Sequence, residues 1–261
     1  MMQKPRKRFG QHFLCDQTVI RRIVAALAPQ PKEHLVEIGP GQGAITLPIL
    51  KIMHRLEAIE FDRDLVAYLQ QYHRDHNELI VYQADVLEFD FMQLKTDERL
   101  LRVFGNLPYN ISTPLIFHLL TFTSIISDML FMLQKEVAER LAAQVNAEHY
   151  GRLSVMVQYH CVVELLFDVA NTAFFPPPQV QSSVVKLIPR KRQQLAHNYA
   201  HFAAVVKSAF NFRRKTLRNS LRNLVTIEDW RALDIDPTWR AENLSVDDFI
   251  AMSNQLSARN L

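Results

Sequence analysis

An amide, an apolar residue, a proline and an aromatic stand in direct succession at Asn106-Leu107-Pro108-Tyr109, after an apolar run that ends in Val103-Phe104-Gly105. Asn106 offers a side-chain carbonyl oxygen as an acceptor. Pro108 fixes its own φ, has no N–H and biases Leu107 toward extended backbone, so nearby main-chain carbonyls stay outside any helix and can also accept. Tyr109 supplies a flat face for a planar group. Two acceptors beside an aromatic wall suit an exocyclic amine with two N–H donors, such as N6 of adenine. Taken alone, the four residues read more simply as a strand ending in a proline turn over a buried tyrosine. Their setting decides between the two.

Four further groups fall at comparable positions. Gly39-x-Gly41-x-Gly43 follows the short apolar run Leu35-Val36-Glu37-Ile38 and precedes a helical pattern, so backbone there can approach a ligand closely. The spacing is not the dinucleotide G-x-G-x-x-G; the loop suits a pyrophosphate or the methionine end of S-adenosylmethionine. Glu60 lies about twenty residues on, where an acid can accept both hydroxyls of a ribose, or simply be a solvated strand-end carboxylate. Asp85 can accept from an adenine amine. Phe61 can pack on the same ring or belong to the core. Glu37 can orient the loop or a ligand's amine, or be structural.

Other chemistries lack their residues. His12 has no partner at metal or triad spacing, and no Ser/His/Asp or Cys/His arrangement is visible. Cys15 and Cys161, the two cysteines of the chain, form neither a metal-ligand spacing nor a disulfide framework. No paired carboxylates at helical spacing stand out. Methyl transfer from a sulfonium fits this inventory: the methyl is already activated, and the protein has chiefly to align it with a nucleophile and exclude water.

The elements that must position these groups alternate. Asp16 is placed to cap a helix over residues 16–28, stopped by Pro29 and Pro31. Strands are expected at 35–38, 56–61, 79–82, 102–104 and 128–133, with helices over 44–53, around Leu65 to Leu69, over 113–120 and over 135–145. Such alternation predicts an α/β fold, a mostly parallel sheet with helices on both faces. In such sheets ligands bind beyond the carboxyl ends of strands, and the glycine loop, Glu60, Asp85 and Asn106 each follow a strand. A helix over 153–159 and a final antiparallel pair, 161–169 with 183–187, complete this part. Beyond Pro189 strand patterns cease. Helices are expected over 201–224, 227–233 and 245–256, the last with Ser245 and Asp248 as a capping box. The boundary predicted is residues 1–192, a catalytic domain with an N-terminal arm, and 193–261, a small all-α domain.

With 261 residues, 48% hydrophobic and 22% charged, the composition is that of an ordinary globular protein with room for a core. The net charge is only +3, but the cations cluster: Lys4, Arg6, Lys7 and Arg8 in the arm, Arg190-Lys191-Arg192, then Arg213-Arg214-Lys215, Arg218 and Arg222. Clustered cations mark a phosphate-binding face; for Arg190-Lys191-Arg192 a solvated surface competes seriously. Arg214, Arg218 and Arg222, at i, i+4 and i+8, would share a helical face. The basic N-terminus lacks a following apolar segment and no window approaches a membrane span, so a cytoplasmic protein is expected.

Several stretches together resemble one family. They are Arg8-Phe9-Gly10-Gln11-His12-Phe13-Leu14, Glu37-Ile38-Gly39-Pro40-Gly41-x-Gly43, Asn106 to Thr113, Leu133-Gln134-Lys135-Glu136-Val137, Tyr150-Gly151-Arg152-Leu153-Ser154, Phe174-x-Pro176-Pro177-Pro178-x-Val180-x-Ser182 and Phe212 to Asn219. The chain is similar over nearly its whole length to the KsgA/RsmA family of ribosomal RNA adenine N6,N6-dimethyltransferases. The resemblance implies a Rossmann-like class I methyltransferase sheet with one antiparallel strand and S-adenosylmethionine as cofactor, with no metal. It also implies two adjacent adenines in the 3′-terminal hairpin loop of 16S rRNA as substrate, late in small-subunit assembly. Family cofactor positions fall on His12, Leu14, Gly39, Glu60, Asp85 and Asn106, with Gly41 and Phe61 beside them; His12 stands where typical members carry Asn. Asn106 with the carbonyl of Leu107 or Pro108 would accept from the adenine amine, and Tyr109 and Phe174 would sandwich a base turned out of its stack. RNA would lie against Arg214, Arg218, Arg222 and the basic arm.

Other classes remain open on sequence alone: a non-catalytic assembly factor on this fold, a nicotinamide-dependent dehydrogenase, a large-subunit RNA dimethylase, or a DNA or glutamine methyltransferase, whose motif usually has Pro at the place of Leu107.

Overall fold

The computed structural model describes residues 11–72, 78–212 and 214–258. Lys4, Arg6, Lys7, Arg8 and Arg213 lie outside the described residues. The strands are β1 (Phe13–Leu14), β2 (His34–Ile38), β3 (Arg55–Glu60), β4 (Glu78–Gln83), β5 (Leu101–Asn106), β6 (Ile126–Gln134), β7 (Cys161–Val169), β8 (Phe174–Phe175) and β9 (Ser182–Pro189). The helices are α1 (Gln17–Leu27), α2 (Thr46–Leu50), α3 (Arg63–Tyr72), α4 (Ser112–Leu120), α5 (Lys135–Ala142), α6 (Arg152–His160), α7 (Tyr199–Phe210), α8 (Leu217–Ser220), α9 (Ile227–Leu233) and α10 (Val246–Ala258).

Among the described residues, seven strands form one sheet in the order β4-β3-β2-β5-β6-β9-β7. The first five run parallel, and β9 is antiparallel to β6. The expected final pair is thus real as a pair of neighbours, with β9 inserted between β6 and β7. Strand order reverses at β2, between β3 on one side and β5 on the other. A sheet of this kind opens its ligand crevice at that switch, beyond the carboxyl ends. All five residues of β2 are buried, as covered parallel strands require.

β2 and β5 approach closely at their carboxyl ends. A Cβ on Gly105 would lie 2.3 Å from the main-chain oxygen of Ile38. Glycine there lets β5 run tightly along β2 and deliver Asn106 to the crevice. Val19, Ile20, Ile23 and Leu27 of α1 pack in one cluster with Leu35, Leu56, Phe104 and Leu130 of the sheet. Each such side chain stabilises by about 1.5–3 kcal/mol. Asp16 caps α1 as expected, its Oδ1 accepting from the N–H groups of Thr18 and Val19 at 2.7 and 3.1 Å. Within the sheet Arg102 makes four hydrogen bonds, donating to Asp128 at 2.8 and 2.9 Å, to Glu33 at 2.6 Å and to the Leu27 oxygen at 2.7 Å. Such pairing offsets the cost of burying a guanidinium.

Two features depart from the sequence pattern. The N-terminal arm, for which no strand is expected, carries β1, which pairs antiparallel with β8: Phe13 with Phe175 and Leu14 with Phe174. The helix expected over 201–224 is broken. α7 ends at Phe210, and at the start of α8 the Leu217 N–H donates to the Trp239 oxygen at 2.6 Å and the Arg218 N–H to the Pro237 oxygen at 3.0 Å. Those donors are taken by distant carbonyls, and Thr216 is extended, so the apolar period cannot continue as one helix. Arg214, Arg218 and Arg222 therefore do not share a helical face. The Ser245–Asp248 capping box forms, with bonds of 2.7–3.1 Å.

The chain falls into two compact units: the described residues to Ala138 with Val163–Pro189, and Glu139–Val162 with the described residues from Arg190 onward. The second unit therefore draws in α6 as well as the residues after 190, where the sequence suggested a single crossing near 192. No helix among the described residues is long and apolar enough to cross a membrane.

Candidate active site

Asn106 is the last residue of β5. Its successor extends the sheet by one bond, the Leu107 N–H donating to the Met132 oxygen at 3.1 Å, while the Leu107 side chain is buried. Pro108, which has no N–H to give, accepts from the Ile111 N–H at 3.2 Å and opens the turn into α4. Of the two main-chain carbonyls considered from sequence, that of Pro108 is therefore engaged. None of the hydrogen bonds among the described residues uses the Leu107 carbonyl.

The Asn106 amide is oriented from the arm. Its Nδ2 donates to the main-chain oxygen of His12 at 3.2 Å, which leaves Oδ1 as the outward acceptor. The His12 ring is fixed in turn, Nδ1 donating to the Pro176 oxygen at 2.7 Å. That ring stacks on Tyr109 at 5.9 Å and 27°. The hydroxyls of Tyr109 and Ser182 are hydrogen-bonded at 2.8 Å, and Ser182 is buried. Burial pushes the Tyr109 phenol up while the Ser182 bond acts the other way, so the group stays protonated at neutral pH.

Opposite lies the glycine loop after β2. Gly39, Gly41 and Gly43 have φ of 66°, 58° and 82°, values that side-chain-bearing residues rarely adopt. A Cβ at Gly41 would also meet the Phe13 ring at 3.4 Å. The Gly41 N–H donates to Glu60 Oε2 at 3.2 Å and the Asp62 N–H to Glu60 Oε1 at 2.9 Å. Glu60, at the end of β3, thus ties the loop to the strand. Burial raises its pKa, against the bonds from Asp62 and Gly41. Glu37 is buried beneath the loop and accepts from Thr46 Oγ1 at 2.6 Å. Burial, opposed by that bond and aided by the charge of Glu60, pushes its carboxyl up to about 8. Asp85 follows β4 and accepts from the Leu87 N–H at 2.9 Å.

The structure brings most of the sequence-predicted residues to one cavity of about 790 Å³. His12, Leu14, Gly39, Gly41, Glu60, Phe61, Asp85, Asn106, Leu107, Pro108 and Tyr109 all line it, and Phe61 is exposed there. Phe174 does not. It is 5% exposed and packed in the core with Leu14, so its ring has no face to offer a ligand. Its neighbour Phe175, 63% exposed, lines the cavity instead. The alternation of β8 sends one ring inward and the next outward, and a two-residue strand gives too little pattern to tell which from sequence. Phe13, which pairs with Phe175, was missed for the same reason. Arg214, Arg218 and Arg222 belong to the second unit, where Arg218 and Arg222 line a different cavity and Arg214 does not.

Comparison with known proteins gives one answer. The sequence model of the family "Ribosomal RNA adenine dimethylase" matches residues 2–258. The chain is 54% identical over 252 residues to a protein of Nitrosococcus oceani named "Ribosomal RNA small subunit methyltransferase A", covering 96% of this chain and 95% of that one. It is 50% identical over 253 residues to a protein of the same name from Coxiella burnetii, covering 97% and 98%. Among solved structures it superposes on a dimethyladenosine transferase from Plasmodium falciparum with a TM-score of 0.82 at 25% identity, covering 96% of this chain and 99% of that one. The 23S rRNA methyltransferase ErmE shares the fold, with a TM-score of 0.74 at 20% identity, covering 94% and 99%.

Proposed function

The chain belongs to the ribosomal RNA adenine dimethylase family, and on that premise we propose its substrate and site. It dimethylates N6 of two adjacent adenines in the 3′-terminal hairpin loop of 16S rRNA, late in small-subunit assembly in the cytoplasm. Relatives half identical to it are named for the small subunit, which favours that RNA over the large-subunit one. The observation that carries the assignment of the site is the acceptor pair. Asn106 Oδ1, set by the bond from Nδ2 to His12, stands one residue from the unused Leu107 carbonyl and beside the Tyr109 ring.

The cavity fits S-adenosylmethionine. Glu60 offers a carboxylate to a ribose diol, the positive-φ glycines let backbone come close to a ligand, and Asp85 and exposed Phe61 offer an acceptor and a ring face to an adenine. When bound, that cofactor supplies a methyl group already activated on a sulfonium sulfur.

The protein's task is then to make a poor nucleophile competent. The N6 lone pair of adenine is delocalised into the ring. Asn106 Oδ1 and the Leu107 carbonyl accept its two N–H bonds, which favours a pyramidal nitrogen with its lone pair turned out of the ring plane. Tyr109 and Phe175 hold the base, turned out of its stack, by their ring faces. Once one methyl is in place a single N–H remains, and the second transfer uses one acceptor. Phe175 takes the place that the resemblance gave to Phe174, because Phe174 is buried. The arm residues Lys4, Arg6, Lys7 and Arg8, with Arg214, Arg218 and Arg222, contact RNA phosphates.

Methyl incorporation into purified small subunits that lack the modification tests this reading. The protein should label them, and Asn106→Ala should do so far more slowly. No incorporation by the unsubstituted protein would overturn it.

A further inference from the structure

The second unit holds a cavity of about 950 Å³ that the methylation chemistry does not use. Its size is within the range of small-ligand sites, roughly 300–1,000 Å³. Arg218 and Arg222 line it, and so does Trp239. Their juxtaposition is built in. Two main-chain bonds, Leu217 N–H to Trp239 O at 2.6 Å and Arg218 N–H to Pro237 O at 3.0 Å, tie the arginine-bearing turn to the tryptophan turn. Leu217 and Leu221 anchor that turn in the core.

Arg218 and Arg222, like Arg231 on the same wall, are unpaired where Arg192 and Arg240 of the unit are engaged. Arg192 is ion-paired with Asp247, and Arg240 with Glu242 at 3.8 Å. Arg218 and Arg222 are exposed and make no side-chain hydrogen bond or ion pair with any described residue. Free guanidiniums in a concavity are available for an anion. Trp239 is 45% exposed, whereas Trp230, also at the cavity, is 7% exposed. A half-exposed indole beside free guanidiniums is a stacking platform next to a phosphate site.

The wall also carries acids, so it is not a trap for bare phosphate. Asp236 is occupied, accepting from the Thr238 N–H and Oγ1 at 2.8 and 2.7 Å. Glu228 sits in the first turn of α9, where the helix dipole favours an anion. Asp234 remains as an acceptor. A nucleotide matches this mixture, because its phosphate accepts, its sugar hydroxyls donate and its base stacks.

We propose that this cavity seats one nucleotide of the RNA substrate other than the methylated adenines, with its phosphate on Arg218 and Arg222 and its base on Trp239. The proposal rests on the ribosomal RNA reading and adds a second, separate grip on the same RNA.

The chain has two tryptophans, so Trp230→Phe leaves Trp239 as the sole indole reporter. Titrating that variant with an RNA fragment carrying the 3′-terminal hairpin of 16S rRNA should quench Trp239 emission saturably. Adding Arg218→Gln and Arg222→Gln should weaken the binding about 10-fold and lower the log–log salt slope by about 1. Trp239→Ala should weaken binding about 10-fold with the slope unchanged. If Trp230→Phe lowers the melting midpoint, the titration is read in the unsubstituted protein with Trp239→Phe as the blank. RNA bound with Trp239 emission unaltered, or with affinity and slope untouched by the double arginine substitution, overturns the proposal. Methyl incorporation by the unsubstituted protein is scored in parallel on small subunits that lack the modification. Incorporation without quenching rejects the cavity alone, while quenching without incorporation supports the cavity and rejects the methylation reading.

Discussion

The side-chain nitrogen of Asn106 donates to the main-chain oxygen of His12 at 3.2 Å, joining residues 94 positions apart in the chain. The bond gives the amide one orientation. With Nδ2 donating to the arm, the acceptor oxygen is the end left free. The His12 side chain secures the same contact from outside, through Pro176 and the Tyr109 ring.

Asn106→Ala removes one of two acceptors and leaves the Leu107 carbonyl. Loss of a single preorganised hydrogen-bonding group costs about 10²–10³-fold in rate, so methyl transfer should fall by that order without vanishing. Single-turnover kinetics on unmodified small subunits measure it, and an unchanged rate would remove Asn106 from the chemistry.

The two phenylalanines of β8 should separate cleanly. Phe175→Ala should slow methyl transfer and leave the melting midpoint close to that of the parent, since its ring is exposed at the cavity. Phe174→Ala should cost about 3–5 kcal/mol of stability, as large-to-small changes in cores do. Paired denaturation and activity measurements check both; the opposite pattern would return the base-holding role to Phe174.

Gly105→Ala should be destabilising by about 3 kcal/mol or more, because the new Cβ would lie 2.3 Å from a main-chain oxygen of the neighbouring strand and neither strand can yield. Gly151→Ala is the control. Nothing lies within 4 Å of its Cβ position, and the change at this helix N-cap should stay within about 1 kcal/mol. Equal urea midpoints for the two variants would contradict the packing described for β2 and β5.

Glu37 links stability to pH. Its carboxyl is raised from 4.5 to about 8 by burial, so the folded state holds its proton more tightly than the unfolded chain. The stability this contributes is full below about pH 4.5 and is lost progressively as pH rises toward 8, a swing of several kcal/mol. Glu37→Gln keeps an acceptor for Thr46 and cannot ionise. It should flatten the pH dependence over that window and be the more stable protein at pH 8 and above. Melting midpoints against pH measure this, and parallel curves for the two proteins would show that Glu37 is not the group responsible.

Much of this was legible in the sequence where a local pattern and a tertiary role coincide. The run Leu35 to Ile38 followed by glycines predicts a short strand ending in a glycine turn, and both form. Asn106 to Tyr109 follows a strand that Gly105 allows to lie close to β2, and the apolar run before the motif is enough to place it at a strand's end. What the sequence hid is set by distant partners. The 201–224 pattern has a helical period, but Trp239 and Pro237 claim the N–H groups of Leu217 and Arg218. β1 and β8 are two residues each, so their inward and outward faces carry no readable period, and the sequence does not tell that Phe174 is buried and Phe175 exposed. The partner of the Asn106 amide is a backbone oxygen, which no side-chain pattern reveals.

The central claim is tested most directly by mass spectrometry of 16S rRNA from cells with and without this gene. Two adjacent N6,N6-dimethyladenosines in the 3′-terminal hairpin should be present with the gene, absent without it, and restored by the unsubstituted protein. Undiminished dimethyladenosine in the cells lacking the gene would contradict the account.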